Sequence, residues 1–194
     1  GHSPEGPGEE ETGEEETEAG KEAARQGRWE AAADCYKKAA ELGHAAGLSL
    51  LGQCLYTGRG VRQSKAQARR LWKAAAESGE PQALLALGDD CAANGDSGGA
   101  LLYYRRARQS ALQVPDIEYT PRICLRIAQS ETQYVSVKKA LLLAAEAVQG
   151  LDILAREGQP DAAVWLQQAR QLQRALVETP PQRSAYNIES LQLD

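Results

Sequence analysis

One feature constrains the fold more than any other: the chain resembles itself at a fixed offset. Leu48, Leu51, Gly52 and Leu55 lie at i, i+3, i+4 and i+7, one apolar stripe of a helix. Leu84, Leu87, Gly88 and Cys91 repeat that spacing 36 positions later. At the same offset Tyr36 returns as Trp72, Ala39 as Ala75 and Gly43 as Gly79. Self-similarity of this kind implies units that cannot bury their apolar faces alone and must stack on their neighbours.

A finer order runs inside each unit. Gly20, Ala23, Gly27, Ala32, Tyr36 and Ala39 are separated by 3, 4, 5, 4 and 3 positions, as are Gly88, Cys91, Gly95, Ala100, Tyr104 and Ala107. Gly52, Leu55, Ala68, Trp72 and Ala75 follow the same order, with four extra residues falling in "TGRGVRQS". Small residues let two antiparallel helices approach closely, and the Tyr or Trp fills the space towards the next pair. Composition agrees: Ala, Leu, Glu, Gln, Lys and Arg abound, Phe is absent and β-branched residues are sparse.

The segments "AARQGRWEAAADCYKKAAELG" and "LGQCLYTGRGV" followed by "LWKAAAESG" resemble the tetratricopeptide repeat family, the second being similar to its Sel1-like relatives. The resemblance covers residues 13 to 112 well and the remainder loosely. It implies an all-α fold, a right-handed α-α solenoid of stacked antiparallel helix hairpins with a C-terminal capping hairpin. It also implies a protein-interaction scaffold that binds on its concave face, lined by the first helix of each hairpin. In the family register the outward positions there are Lys21, Arg25, Ser49, Gln53, Tyr56, Leu85 and Asp89, followed by Arg122 and Gln129. Members that clamp a C-terminal carboxylate use Lys and Asn in these helices; Gln53 and Asp89 stand where an Asn is wanted, which puts such a clamp in doubt.

The organisation expected is an acidic tail or tag over 1–16, repeats over 17–112, an inserted loop over 113–120 and irregular repeat and capping helices over 121–178, with a tail over 179–194. Pro115 and Pro121 punctuate the loop. Beyond it, Ala128, Ala140, Ala144 and Ala147 share the separations 12, 4 and 3 with Gly150, Ala162, Leu166 and Ala169. These registers overlap, so the spacing predicts one long or kinked helix over about 135–157 and another over about 160–177. "EGQP" and "SGEP" both read as a helix stop followed by a proline-assisted start.

Charge is unevenly spread. Residues 1 to 20 carry eight Glu and no Lys or Arg, a run that repels itself and reads as solvated tail. Residues 42 to 76 carry six Lys or Arg and no Asp or Glu: Arg59, Arg62, Lys65, Arg69, Arg70 and Lys73. That patch reads as a solvated face; the alternative is a dock for an acidic segment, this chain's own Glu-rich arm included. Nucleic acid is disfavoured, because aromatic residues do not interleave with the charges and the pI is about 5.2.

The catalytic inventory is thin. Asp89 and Asp90 are adjacent and diverge on a helix, reading as its polar face, and His44 reads as a hairpin-junction residue. "GRG" lacks the Lys-Ser/Thr ending of a phosphate loop and reads as a turn. Cys35, Cys54, Cys91 and Cys124 are too scattered for zinc and read as small core residues, which suits a reducing, cytoplasmic or mitochondrial compartment. Trp29, Trp72 and Trp165 read as packing. No cofactor, metal or enzymatic role is expected, and no run reaches the roughly 18 apolar residues of a membrane span. The absence of Met and the start "GHSPEG" read as a processed piece with a tag remnant, so a missing signal peptide says little. The function expected is a scaffold binding a partner protein segment. Self-assembly and a regulatory module of a larger enzyme are the alternatives.

Overall fold

The computed structural model describes residues 9–114, 116–130 and 136–178, all-helical with no strand among them. In chain order the helices are α1 Glu9–Arg25, α2 Trp29–Glu41, α3 Ala45–Thr57, α4 Lys65–Glu77, α5 Pro81–Ala93, α6 Ser97–Gln113, α7 Thr120–Ser130, α8 Val137–Arg156 and α9 Ala162–Glu178. They form two compact units, Gly1–Ser110 and Ala111–Asp194.

The first unit stacks hairpins in succession: α1 pairs with α2, α3 with α4, and α3 also packs on α1, α2 and α5. The glycine and aromatic positions of the repeat explain this packing. A Cβ on Gly20 would overlap the Tyr36 ring, one on Gly52 would lie 2.5 Å from Trp72 Nε1, and one on Gly88 would lie 2.5 Å from the Tyr104 ring. Each ring therefore rests on the backbone of the preceding helix, where any side chain would push it away. Tyr36, Trp72 and Tyr104 are buried, with Ala32, Ala39, Ala68, Ala75, Ala100 and Ala107 beside them. A buried side chain of this size contributes about 1.5–3 kcal/mol.

The "GRG" segment is a turn. Gly58 ends α3 in the left-handed region at φ 75°, and the N–H groups of Gly58 and Arg59 both donate to the Cys54 carbonyl, at 2.8 and 3.1 Å. Those amides cap the helix and do not point at a ligand. At Gly60 a Cβ would run into the Trp29 backbone, so the loop lies flat against the start of α2.

The acidic segment departs from expectation. The stretch 1–16 reads as tail, yet α1 begins at Glu9. Gly13, Thr17, Gly20 and Ala24 are buried, while Glu14, Glu15 and Glu18 stay exposed. The helix therefore needs no buried carboxylate: its small stripe packs inward and its charges remain in water. Thr17 Oγ1 donates to the Gly13 carbonyl at 2.8 Å and lies 2.9 Å from His44 Nδ1, tying the helix to the start of α3. Residues 1–8, Pro115 and the expected tail over 179–194 lie outside the described residues.

In the second unit α8 is a single 20-residue helix packed on both α7 and α9. Ala140, Leu143, Ala144 and Ala147 are buried along its first part, Leu151 and Leu154 along its last. This is how one helix serves two overlapping registers. At its middle Gly150 lies against Pro121, where a Cβ would be 2.5 Å from the ring. α9 buries Ala162, Leu166 and Ala169 and exposes Gln167, Arg170, Gln171 and Arg174 together with Val164 and Val177. Between α6 and α7, Asp116 Oδ1 accepts from the amides of Glu118 and Tyr119, both at 2.9 Å, and sets the entry to α7.

Candidate protein-interaction surface

A polar cluster of the first unit joins α3, α4 and α5. Arg69 Nε donates to Asp90 Oδ2 at 2.7 Å and Arg69 Nη2 to Asp90 Oδ1 at 3.0 Å, a two-pronged pair. Tyr56 Oη donates to Asp90 Oδ1 at 3.1 Å. Asn94 Nδ2 reaches the Asp90 carbonyl at 3.0 Å. The Tyr56 ring tilts against Trp72 at 5.1 Å between centroids and carries Lys65 Nζ 5.1 Å from its own centroid. The Arg69 guanidinium, ahead of the Tyr56 hydroxyl, holds the Asp90 carboxyl below the ordinary carboxylate range despite its burial. Burial, then the Asp90 carboxylate, pushes the Tyr56 phenol up.

This cluster corrects two readings. Asp90 is not on a solvated polar face; it is buried and paired. Asp89 is half-buried and accepts from Tyr104 Oη at 2.6 Å. The sequence signal for Asp90 was available: it follows a stretch, Ala83 to Gly88, that is apolar or small on every side, and an acid there needs a cation.

The residues read as the concave face separate into three groups. Ser49, Leu85 and Arg122 are buried and cannot meet a partner in this structure, a correction to the family register. Ser49 lies under Trp72, whose Nε1 donates to its carbonyl at 3.0 Å. Leu85 belongs to an α5 that is buried from Gln82 to Gly88. Arg122 donates to the Glu118 carbonyl and lies under the rings of Tyr119 and Trp165, 5.3 and 5.8 Å from their centroids. Tyr56 and Asp89 belong to the internal hydrogen bonds just described, and Lys21 is half-buried with Nζ 3.3 Å from Glu18. Arg25, Gln53 and Gln129 are exposed. Arg25 pairs with Glu22 at 2.7 Å on its own helix, an exposed contact of small worth. Gln129 accepts from Arg126 Nη1 at 2.9 Å.

The basic set also divides. Arg59 lies 4.6 Å from the Trp29 centroid, Lys65 covers Tyr56, and Arg69 is held by Asp90. Arg62, Arg70 and Lys73 are exposed and make no ion pair among the described residues. Arg62 precedes α4; on the helix itself Arg70 and Lys73, three positions apart, share the outer side, whereas Lys65 turns onto Tyr56.

Sequence reasoning missed the arginine–tryptophan stack of the second unit. Arg126 lies 4.1 Å from the Trp165 centroid and its Nη1 donates to Gln168 Oε1 at 3.0 Å, binding α7 to α9. Arg122 and Arg126 at i and i+4 were the visible half of that stack, and the other half lies about 40 residues away. Among the described residues no three His, Cys, Asp or Glu side chains gather as a metal ion would need, and no helix is long and apolar enough to cross a membrane.

No family model matches the chain, and no curated protein does either. Among solved structures the chain is similar to a Sel1 repeat protein from Oxalobacter formigenes, at 18% identity and TM-score 0.47, over 86% of this chain and 87% of that one. It is also similar to a protective antigen present in uropathogenic Escherichia coli strains that displays an SLR fold. Identity there is 20% and the TM-score 0.40, over 81% of this chain and 45% of that one.

Proposed function

We propose that the first unit is a non-enzymatic scaffold that holds a segment of another protein along the exposed side of α1 and α3. The observation that carries this reading is the division of labour among polar side chains. His44, Tyr56, Arg69, Asp89, Asp90 and Tyr104 are engaged in holding helices together, as the distances above show. Arg25 on α1 and Gln53 on α3 face solvent on two helices that pack directly on each other. A rigid pair of helices with outward polar positions can accept an extended or helical segment at small ordering cost. Lys21 and Asp89 would border such a segment, and Gln129 would play the equivalent part on α7 of the second unit.

The test is site-specific photocrosslinking from position 53 in the cell of origin, beside the Arg25→Glu/Gln53→Lys variant. A partner captured from position 53, and lost in a variant that keeps the helical signal of the native chain, is the expected result. Equal capture from the outer position 74 of α4, or none above background, would sink the reading.

A further inference from the structure

We infer that the exposed cationic face of α4 docks the acidic α1 of a second copy of this chain. The α4 face is separate from the α1–α3 side proposed above for a partner segment, but its occupant presents the same exposed side of α1 that carries Arg25. The two readings therefore compete for α1; crosslinking from position 53 tests the first, and salt-dependent sedimentation tests the second.

Two observations converge. The first is the face itself. Arg62, Arg70 and Lys73 are exposed, make no ion pair among the described residues, and have Lys65 beside them. The fold neutralises Arg69 with Asp90 and covers Trp29 and Tyr56 with Arg59 and Lys65. Among the described residues no carboxylate forms an ion pair with the other three, although Glu77 is exposed four positions after Lys73. The second is the occupant. Residues 9–22 carry eight Glu and one Lys, and they are not a loose tail but a helix seated on its neighbours. Glu14, Glu15 and Glu18 project from it into solvent, and Glu14 and Glu15 make no ion pair among the described residues.

Glu14 and Glu18 are like charges at i and i+4, which weaken a helix by about 0.2–0.5 kcal/mol per pair. Lys21, 3.3 Å from Glu18, offsets part of this and leaves Glu14 and Glu15 without an ion pair among the described residues. A cationic helix laid against that stripe relieves the repulsion and gives Arg70 and Lys73 carboxylate partners, with which they form no ion pair among the described residues. Both helices are rigid parts of one unit, so charge complementarity is presented with little ordering cost. The contact joins unlike faces, α1 of one copy to α4 of the next. It is also electrostatic at an exposed surface, so salt must weaken it strongly.

Sedimentation velocity on the full chain, over a concentration series reaching the sub-millimolar range, tests this. It should be run at ionic strengths of about 0.01 M and about 1 M, where screening lengths are roughly 30 Å and 3 Å. Association at low salt that disappears at high salt is expected. The Arg62→Glu/Arg70→Glu/Lys73→Glu variant and the Glu14→Lys/Glu15→Lys variant should each be monomeric alone, yet associate when mixed, because each keeps the face the other has lost. All substitutions are at exposed positions, and circular dichroism verifies the fold.

A wild-type chain that stays monomeric throughout at low salt overturns the inference, as does association indifferent to salt. Variants that fail to associate on mixing overturn it too. A monomeric wild type that retains polyglutamate on the α4 face would mean that the acidic occupant comes from another protein, and would equally overturn the self-contact.

Discussion

Arg69 on α4 and Asp90 on α5 face each other through two hydrogen bonds, 2.7 Å from Nε and 3.0 Å from Nη2, while Tyr56 on α3 donates to the same carboxylate. Three successive helices thus meet at one side chain. Asp90→Asn should lower the midpoint of thermal unfolding by several degrees without changing helix content at low temperature. Arg69→Lys should recover only part of what Arg69→Ala loses, because an ammonium cannot reproduce the planar fork.

The same network fixes a pH dependence. The Asp90 carboxyl titrates below its ordinary value of 3.8 when folded, so its contribution is complete above that value and is lost as pH falls through the lower folded value. Tyr56 titrates above its ordinary value of 10.0, so its contribution is complete below pH 10.0 and is lost as pH rises through the folded value. Urea unfolding midpoints of the native chain and of Asp90→Asn should therefore converge on acidification below about pH 4. A difference between the two that is unchanged in acid would contradict the assignment.

Glycine at the helix crossings gives a test of sign. Alanine normally stabilises a helix interior by about 0.5–1 kcal/mol over glycine. At Gly52 the added methyl would meet Trp72, at Gly88 it would meet Tyr104, and overpacking of this kind costs about 1–3 kcal/mol. Gly52→Ala and Gly88→Ala should therefore destabilise. Gly98→Ala in α6, with nothing nearer than 4.0 Å, should be neutral or stabilising. Chemical denaturation of the three variants measures this directly, and a gain at Gly52 would contradict the close approach of α3 to Trp72.

Cysteine reactivity should follow burial. Cys54 and Cys124 are buried, and burial pushes the Cys54 thiol up to about 11, so little thiolate is present at neutral pH. Cys35 and Cys91 are half-buried. In native chain, iodoacetamide should modify Cys35 and Cys91 well before Cys54 and Cys124, with the order vanishing in denaturant; a mass-spectrometric time course reads it.

The hairpin architecture was legible because its grammar is local. Gly52, Trp72 and their counterparts recur at fixed separations, and each recurrence has a single steric meaning. The long α8 was legible for the same reason, since two registers sharing residues 143–149 can coexist only in one continuous helix. The candidate surface was far less so. Ser49, Leu85 and Arg122 occupy outward positions in the family register but are buried, because burial depends on what lies across from a helix and spacing along it carries no such information. The pairs Arg69–Asp90 and Arg126–Trp165 span 21 and 39 positions, beyond the reach of any helical periodicity.

The start of α1 offers the most direct contrast between composition and packing. The Glu run argues for a solvated tail, whereas Gly13, Thr17, Gly20 and Ala24 form a stripe of small residues at i, i+4, i+7 and i+11 on the buried side. If composition ruled, removing residues 1–16 would change nothing in the fold. Because Gly13 packs against His44 and the Thr17 hydroxyl bridges the Gly13 carbonyl and the His44 ring, the truncation should cost about 1–2 kcal/mol, the worth of one or two hydrogen bonds and their desolvated groups. Thr17→Val, which keeps the shape but deletes the hydroxyl, should reproduce about half of that loss. Urea unfolding of both variants measures it, and an unchanged midpoint in the truncation would return these residues to the tail.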